Sequence, residues 1–317
     1  MADPTEMKPE GAERDDSLPA TLKRSGTEFM EDGMTDWAAA LTYYGLLSLF
    51  PMLIALVSII GLFANPEATA DKLTEIVSNL GPDAAADTFK GPVEGITSSR
   101  GASGVTFVVG LALAIWAASG YVGAFGRASN VIFETREGRP FWKLKPLQLG
   151  VTLAMILILA LLAIGLVMTG PVVRAVAEPL GIGSTAVDIW NYAKWPVMIA
   201  LVLVMFAVLF HFSPNVETGR FRFFTPGAVV ALLVWVLASA TFAFYVGNFG
   251  SYNKTYGTLG GFVVLLIWFW ISNIAVLFGL ELNSEIERTR QIGQGVAGAE
   301  KQLQFTPRSE PKPKQTV

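Results

Sequence analysis

The chain has no cysteine among its 317 residues, which excludes disulfides, thiolate nucleophiles and cysteine-held metals. It has one histidine, His211. A zinc hydrolase holds its metal through three protein ligands, mostly histidine or cysteine, so a zinc enzyme is excluded too. Charge is sparse: Asp, Glu, Lys and Arg make up 15% of the residues, against about 25% in soluble domains. The formal net charge of −3 leaves no basic footprint for nucleic acid. No G-x-x-x-x-G-K-[ST], H-E-x-x-H or G-x-S-x-G occurs, so the chemistry of those motifs is not expected. The N-terminal MADPTEMKPEGAERDD is acidic and has no apolar h-region, so no cleavable signal peptide is expected there.

What is present is apolar. Hydrophobic residues make up 52% of the chain, and the mean hydropathy is +0.48. A bilayer core needs about 20 apolar residues per helix. Six segments qualify or come close, at about 41–64, 103–125, 147–170, 195–212, 226–247 and 259–282. The sequence therefore predicts an all-α polytopic membrane protein, a six-transmembrane-helix bundle with short amphipathic interfacial helices. Around the transmembrane domain, 37–290, it predicts a disordered tail over 1–20, an interfacial helix over 21–36 and a disordered tail over 291–317, rich in Pro, Lys and Gln. Between the first two spans, Leu73, Ile76, Val77 and Leu80 recur at helical spacing, so 66–80 reads as an amphipathic helix.

Lysine and arginine set the expected orientation. Seventeen of the 23 lie in the N-terminal segment, the 126–146 loop, the 213–225 loop and the C-terminal tail. Both termini are expected in the cytoplasm, and GSYNKTYGTLGG at 250–261 faces the outside as the connector before the last span. Its Tyr252, Asn253, Tyr256 and Gly257 are candidates for an outer gate. The stretch lacks the strand–turn–helix setting of a dinucleotide fingerprint.

Charge inside a bilayer is costly, so ionisable residues there are functional candidates. Among Asp, Glu, Lys and Arg, only Glu281 falls within a predicted span, with Arg288 or a loop arginine as its expected partner. Tyr44, Ser48, Pro51, Ala55 and Ser58 follow one face of the first span, and Thr106, Gly110, Ala114, Ala117 and Tyr121 one face of the second. Ser272 and Asn273 sit in the last span and need hydrogen-bond partners in a dry setting. Two readings stand for these faces: helix packing through small residues, or a polar path inside the bundle.

Three stretches, DWAAALTYYGLLSLFP at 36–51, SNVIFETREGRPFW at 129–142 and SYNKTYGTLGGFVVLLIWFWISNIAVLFGLELNSEIER at 251–288, resemble the bacterial YihY/BrkB family of inner-membrane proteins across roughly 30–290. The resemblance implies six transmembrane helices in the bacterial cytoplasmic membrane. It also carries an older family label, ribonuclease BN, for which these residues supply no catalytic cluster. Family-like positions are Ala39, Tyr43, Tyr44, Ser48, Pro51, Asn130, Arg136, Tyr252, Asn253, Tyr256, Gly257, Glu281 and Asn283. With Asn273 added, Tyr43, Tyr44, Ser48, Pro51, Glu281 and Asn283 are candidates for a substrate path or polar bundle interior, and Asn130 and Arg136 for a cytoplasmic loop site. The expected function is transport or translocation of an amphiphilic, envelope-related substrate, with membrane lipid as the contact and no nucleic acid. A structural or scaffolding role, with an envelope protein partner or as a homo-oligomer, is the alternative, and a membrane-bound ribonuclease fits least.

Overall fold

A computed structural model of the chain describes residues 17–61, 104–168, 173, 184–248 and 258–311. The described residues form seven helices: α1 (Leu18–Glu31), α2 (Met34–Gly61), α3 (Gly104–Ile132), α4 (Phe141–Val167), α5 (Ser184–Phe212), α6 (Pro226–Asn248) and α7 (Thr258–Gly293). The predicted helix at 66–80 lies outside the described residues. Helices α3 to α7 are long and apolar enough to cross a membrane. The first predicted span, 41–64, falls on the 28-residue α2 and runs past the described residues.

Most of the spanning helices run longer than the predicted spans. The first interfacial helix begins at Leu18, because the Ser17 hydroxyl accepts from Ala20 N at 3.4 Å and caps it. Gly33 then breaks the chain direction at φ 63°, a backbone region open to glycine, and α2 starts at Met34. Helix α3 runs on to Ile132, α4 starts at Phe141, α5 at Ser184, and α7 continues to Gly293. Hydropathy falls at Arg127, Lys143, Asp188 and Glu285, but backbone hydrogen bonding does not. Helix α7, at 36 residues, is about 54 Å long at 1.5 Å per residue, well beyond a ~30 Å hydrocarbon core.

Neighbours close into a ring: α2 packs on α3, α3 on α4, α4 on α5, α5 on α6, α6 on α7, and α7 back on α2. Helix α1 lies against α7 and α2, turning Thr21, Ser25 and Phe29 inward at four-residue spacing. The ring has a charged end, where α1, the 133–140 and 213–225 connections and the chain after α7 gather. Buried residues crowd toward that end. They include Met34, Ala38 and Leu41 of α2, Phe125 and Ile132 of α3, Phe206 and Phe210 of α5, Ala228 and Ala231 of α6, and Leu277 and Leu280 of α7. A second, smaller cluster, Ala55, Ala114, Ile156 and Ala160, holds α2, α3 and α4 together further along. Over the far half, α6 turns Leu233, Val236, Leu237 and Phe244 outward.

The predicted small-residue face of α3 is shifted. Gly110 and Ala117 are exposed, whereas Ala114, Ala118, Val122, Phe125, Ser129 and Ile132 form the buried stripe. Helix α3 meets α2 and α4 at once, and that double contact selects a wider stripe than small-residue spacing does.

The C-terminal segment also departs from expectation. Residues 294–311 are not a free tail but return across the charged end. Val216 and Pro307 form an antiparallel bridge, Arg308 donates to Val216 O at 2.8 Å and His211 O at 2.6 Å, and Phe305 packs edge-on against Phe133 at 5.3 Å. Composition alone reads the segment as disordered, because its stabilising partners are supplied by distant loops.

The tightest crossing joins α6 and α7. A Cβ built on Gly227 would collide with Gly279 O and the Asn283 side chain, and one on Gly279 with Gly227 O and Ala231. Gly279→Val therefore forces the helices apart and should cost about 3 kcal/mol, read as a lowered thermal midpoint in detergent. Gly150→Ala, with no atom within 4 Å of its added Cβ, should leave the midpoint unchanged.

Candidate functional site

Polar groups in an apolar bundle must find partners, so the site is best built from what each buried polar side chain touches. In the bundle, Asn273 of α7 donates to Thr42 Oγ1 of α2 at 3.2 Å and accepts from Tyr121 OH of α3 at 2.8 Å. Thr42 in turn donates to Ala38 O at 2.8 Å. These three residues spend their hydrogen bonds on one another and tie α2, α3 and α7 together. At this position the packing reading describes them better than an open path. Ser272 similarly accepts from Trp235 Nε1 at 3.0 Å.

The remaining predicted residues fall as follows. Tyr43 points outward at 60% exposure, with its ring edge-on to Tyr44 at 5.4 Å. Tyr44 is half-buried, and Arg127 of α3 stands over its ring at 5.3 Å. Ser48 is buried and Pro51 half-buried inside α2. Asn283 caps α6 from a neighbouring helix: its Oδ1 accepts from Gly227 N at 2.9 Å and its Nδ2 donates to Thr225 Oγ1 at 3.0 Å. That satisfies a first-turn amide that the helix itself leaves open. Tyr252, Asn253, Tyr256 and Gly257 lie outside the described residues.

At the charged end, α1 and α7 share a cluster of ions. Glu285, buried on α7, pairs with Arg24 at 3.4 Å and with Arg288 at 2.8 Å. Arg288 also pairs with Glu134 at the end of α3. The expected pairing of Glu281 with Arg288 is not what forms. Glu281 is buried and accepts from Ser284 Oγ at 3.4 Å, while the guanidinium lies nearly two turns further along the helix, beside Glu285 and Glu134. Glu28 and Asp32 of the α1 end face the same cluster. Burial pushes the Asp32 carboxyl up to about 6, helped by the charges of Glu28 and Glu134.

A second knot joins the connections. Arg139 lays its guanidinium against Glu137 through two 2.8 Å bonds and donates to Phe212 O at 3.2 Å and Ser213 O at 2.7 Å. Burial pushes Glu137 up, but the hydrogen bonds and charge of Arg139 and the Asn130 amide outweigh it, holding Glu137 below the usual carboxylate range. Asn130 receives the Asn215 amide at 2.7 Å, and Asn215 Nδ2 donates to Arg136 O and Ser309 O, each at 2.9 Å. Asn130 is thus central. Arg136 contributes only its carbonyl, and its side chain is exposed. Sequence reasoning passed over Arg139 and Asn215. Glu137-Gly138-Arg139 offered a signal, an acid and a base one residue apart in a short loop. Asn215 offered none, since its partners are 85 and 94 positions away.

The sign of the Asp32 shift gives a test. Folding favours the protonated acid, so the stability Asp32 contributes is full below its ordinary value of 3.8 and is lost as pH rises through about 6. Asp32→Asn should raise the thermal midpoint at pH 7.5 and flatten its fall between pH 4 and 6, measured in detergent at several pH values.

Comparison with known proteins places this architecture. The family model described as "Virulence factor BrkB" matches residues 26–304. A protein named "Putative ribonuclease-like protein YfkH" from Bacillus subtilis (strain 168) is 29% identical over 255 residues, covering 80% of this chain and 90% of that one. A UPF0761 membrane protein of Alteromonas mediterranea is 28% identical over 89% of this chain and 90% of its own length. Another, from Pseudoalteromonas atlantica, is 30% identical over 81% and 82%. No solved structure matches. The family match runs from the middle of α1 into the C-terminal segment, and the chain is an integral membrane protein belonging to the BrkB family.

Proposed function

We propose that this protein moves an amphiphilic, envelope-related substrate across the bacterial inner membrane without nucleotide hydrolysis. One observation carries the reading: among the described residues the ring of helices is densely packed and ion-locked at one end, with fewer buried residues over the other half. A bundle filled at one end and less filled at the other leaves room for a translocation path to open. The charged end gathers most of the Lys and Arg, which supports placing it in the cytoplasm. Outward-facing Leu233, Leu237 and Phe244 on α6 fit contact with membrane lipid.

Enzymatic cleavage is not part of this reading. The word ribonuclease occurs in the printed name of the Bacillus relative, but this chain has a single histidine. His211 Nδ1 is 3.0 Å from Thr218 Oγ1, and the ring packs edge-on against Phe212 and Phe221. That is an anchoring role for the 213–225 connection.

The test is reconstitution. Purified protein in liposomes carrying a fluorescent phospholipid should speed its exchange between leaflets at least tenfold over protein-free liposomes, read by dithionite quenching. Exchange at the protein-free rate, for lipids of each headgroup class, contradicts the reading.

A further inference from the structure

A pocket of about 180 Å³ opens at the charged end between α3, α4 and the residues just after α5. It is too small for a whole amphiphile, since drug-sized ligands occupy about 300 Å³ or more. At roughly 30 Å³ per water, it has room for about six waters, which suits a compact polar group. Gly123 and Gly126 of α3 form part of its lining. A Cβ at Gly123 would press on the Gln148 amide at 3.2 Å, and one at Gly126 on Ser213 O at 3.3 Å.

Three polar side chains on the pocket lining have hydrogen-bonding or charge capacity to spare. Ser213 is 5% exposed, and its Oγ is buried with no hydrogen-bond partner. Such an orphan costs the full desolvation of the hydroxyl and points to a ligand that completes it. Gln148 reaches in from α4 with its side-chain amide turned to the cavity. Arg127 stands at the edge, and among the described residues it makes no ion pair, only its stack over Tyr44. The other cation of the lining, Arg139, is neutralised by Glu137. The pocket therefore carries one uncompensated positive charge with hydrogen-bond donors around it, the chemistry that holds a phosphate.

The opposite wall is apolar, made by Leu144, Leu147 and Val151 of α4. The turn that supplies Leu144 also presents Phe141 and Trp142 outward at 66% and 74% exposure, and Lys145 holds its Nζ 4.3 Å from the Trp116 ring. Exposed aromatics beside lysines mark the depth where a bilayer meets water. A free phosphate would use only the polar side of this pocket, whereas a lipid headgroup with its glycerol end uses both.

We propose that this pocket binds the phosphate of a membrane phospholipid, with Arg127 supplying the charge, Gln148 and Ser213 the hydrogen bonds, and the α4 wall the contact for the adjoining glycerol. The site names the substrate class for the translocation reading and rests on it for its biological use, although binding can be measured without transport.

The test uses the full chain in phosphate-free detergent micelles, titrated with phosphatidylglycerol and read by native mass spectrometry. Wild type should retain phosphatidylglycerol. Arg127→Gln should weaken retention at least tenfold, and Ser213→Ala about threefold. Arg127 is exposed, so its variant should keep the wild-type thermal midpoint, and Gln148→Leu gives a second variant if it does not. Equal retention by wild type, Arg127→Gln and Gln148→Leu overturns the site. Displacement of the lipid by inorganic phosphate at equal concentration overturns the lipid assignment in favour of free phosphate. Loss of retention in the variants while wild-type protein fails to move lipid supports the site and removes only the transport reading.

Discussion

The structure depends on how the charged end satisfies its buried polar groups. Arg139 cannot leave its guanidinium unpaired in a site where its side chain is 6% exposed, because breaking such a pair costs on the order of 3 kcal/mol. It resolves this by binding Glu137 and the last carbonyls of α5 together. Those carbonyls are the ones a helix C-terminus leaves open, so one side chain closes α5 and pins the α3–α4 connection. Asn215 repeats the device, taking Asn130, Arg136 O and Ser309 O. Three chain segments that would otherwise be separate loops thus become one body, and α1 adds a fourth through Arg24 and Glu285.

From that closed end the described parts of the helices run outward with fewer large buried side chains between them. Near the knots the ring is filled by large side chains, with Phe125 stacked on Phe210 at 6.4 Å and Phe206 on Phe210 at 6.1 Å. Beyond them, contact passes to small residues and single hydrogen bonds: the Ala55, Ala114 and Ala160 cluster, the Thr42–Asn273–Tyr121 chain, and Trp268 Nε1 donating to Ser239 Oγ at 3.2 Å. With no hydrophobic drive between helices in lipid, close packing and interhelical hydrogen bonds are the available forces. The densely packed end gives the pocket between α3, α4 and the residues after α5 a fixed wall.

Much of this was legible in the sequence. The spans stand out because a bilayer demands long apolar runs, and the charged end because Lys and Arg are so unevenly placed. Asn130, Glu281 and Asn283 were singled out, and each is engaged at or near the charged end. Pairing was not legible. Glu281 was expected to meet Arg288, yet Arg288 serves Glu285 and Glu134, since helical spacing says which residues share a face but not which distant loop reaches it. Arg136 drew attention as a family-like position, while the work falls to Arg139, three residues on, whose buried guanidinium reaches Phe212 O and Ser213 O. Gly138 sits against Ser309 O and Glu310 with no room for a Cβ. The segment after Gly293 read as disordered because composition records what a segment lacks for a core of its own. It does not record that Asn215 finds an acceptor there in Ser309 O, or that Arg308 reaches out from it to Val216 O and His211 O.

The closed end is the premise for both the translocation reading and the pocket, and hydrogen–deuterium exchange on the whole protein in nanodiscs tests it most directly. Amides of 303–309 should exchange together with those of 213–217 and far more slowly than a free chain, since Glu217 N donates to Thr306 O at 3.0 Å and Arg308 N to Asn215 O at 3.2 Å. Arg139→Gln should release both segments at once. Exchange of 303–309 at free-chain rates in the wild-type protein would contradict the closed end and remove the fixed wall on which the rest is built.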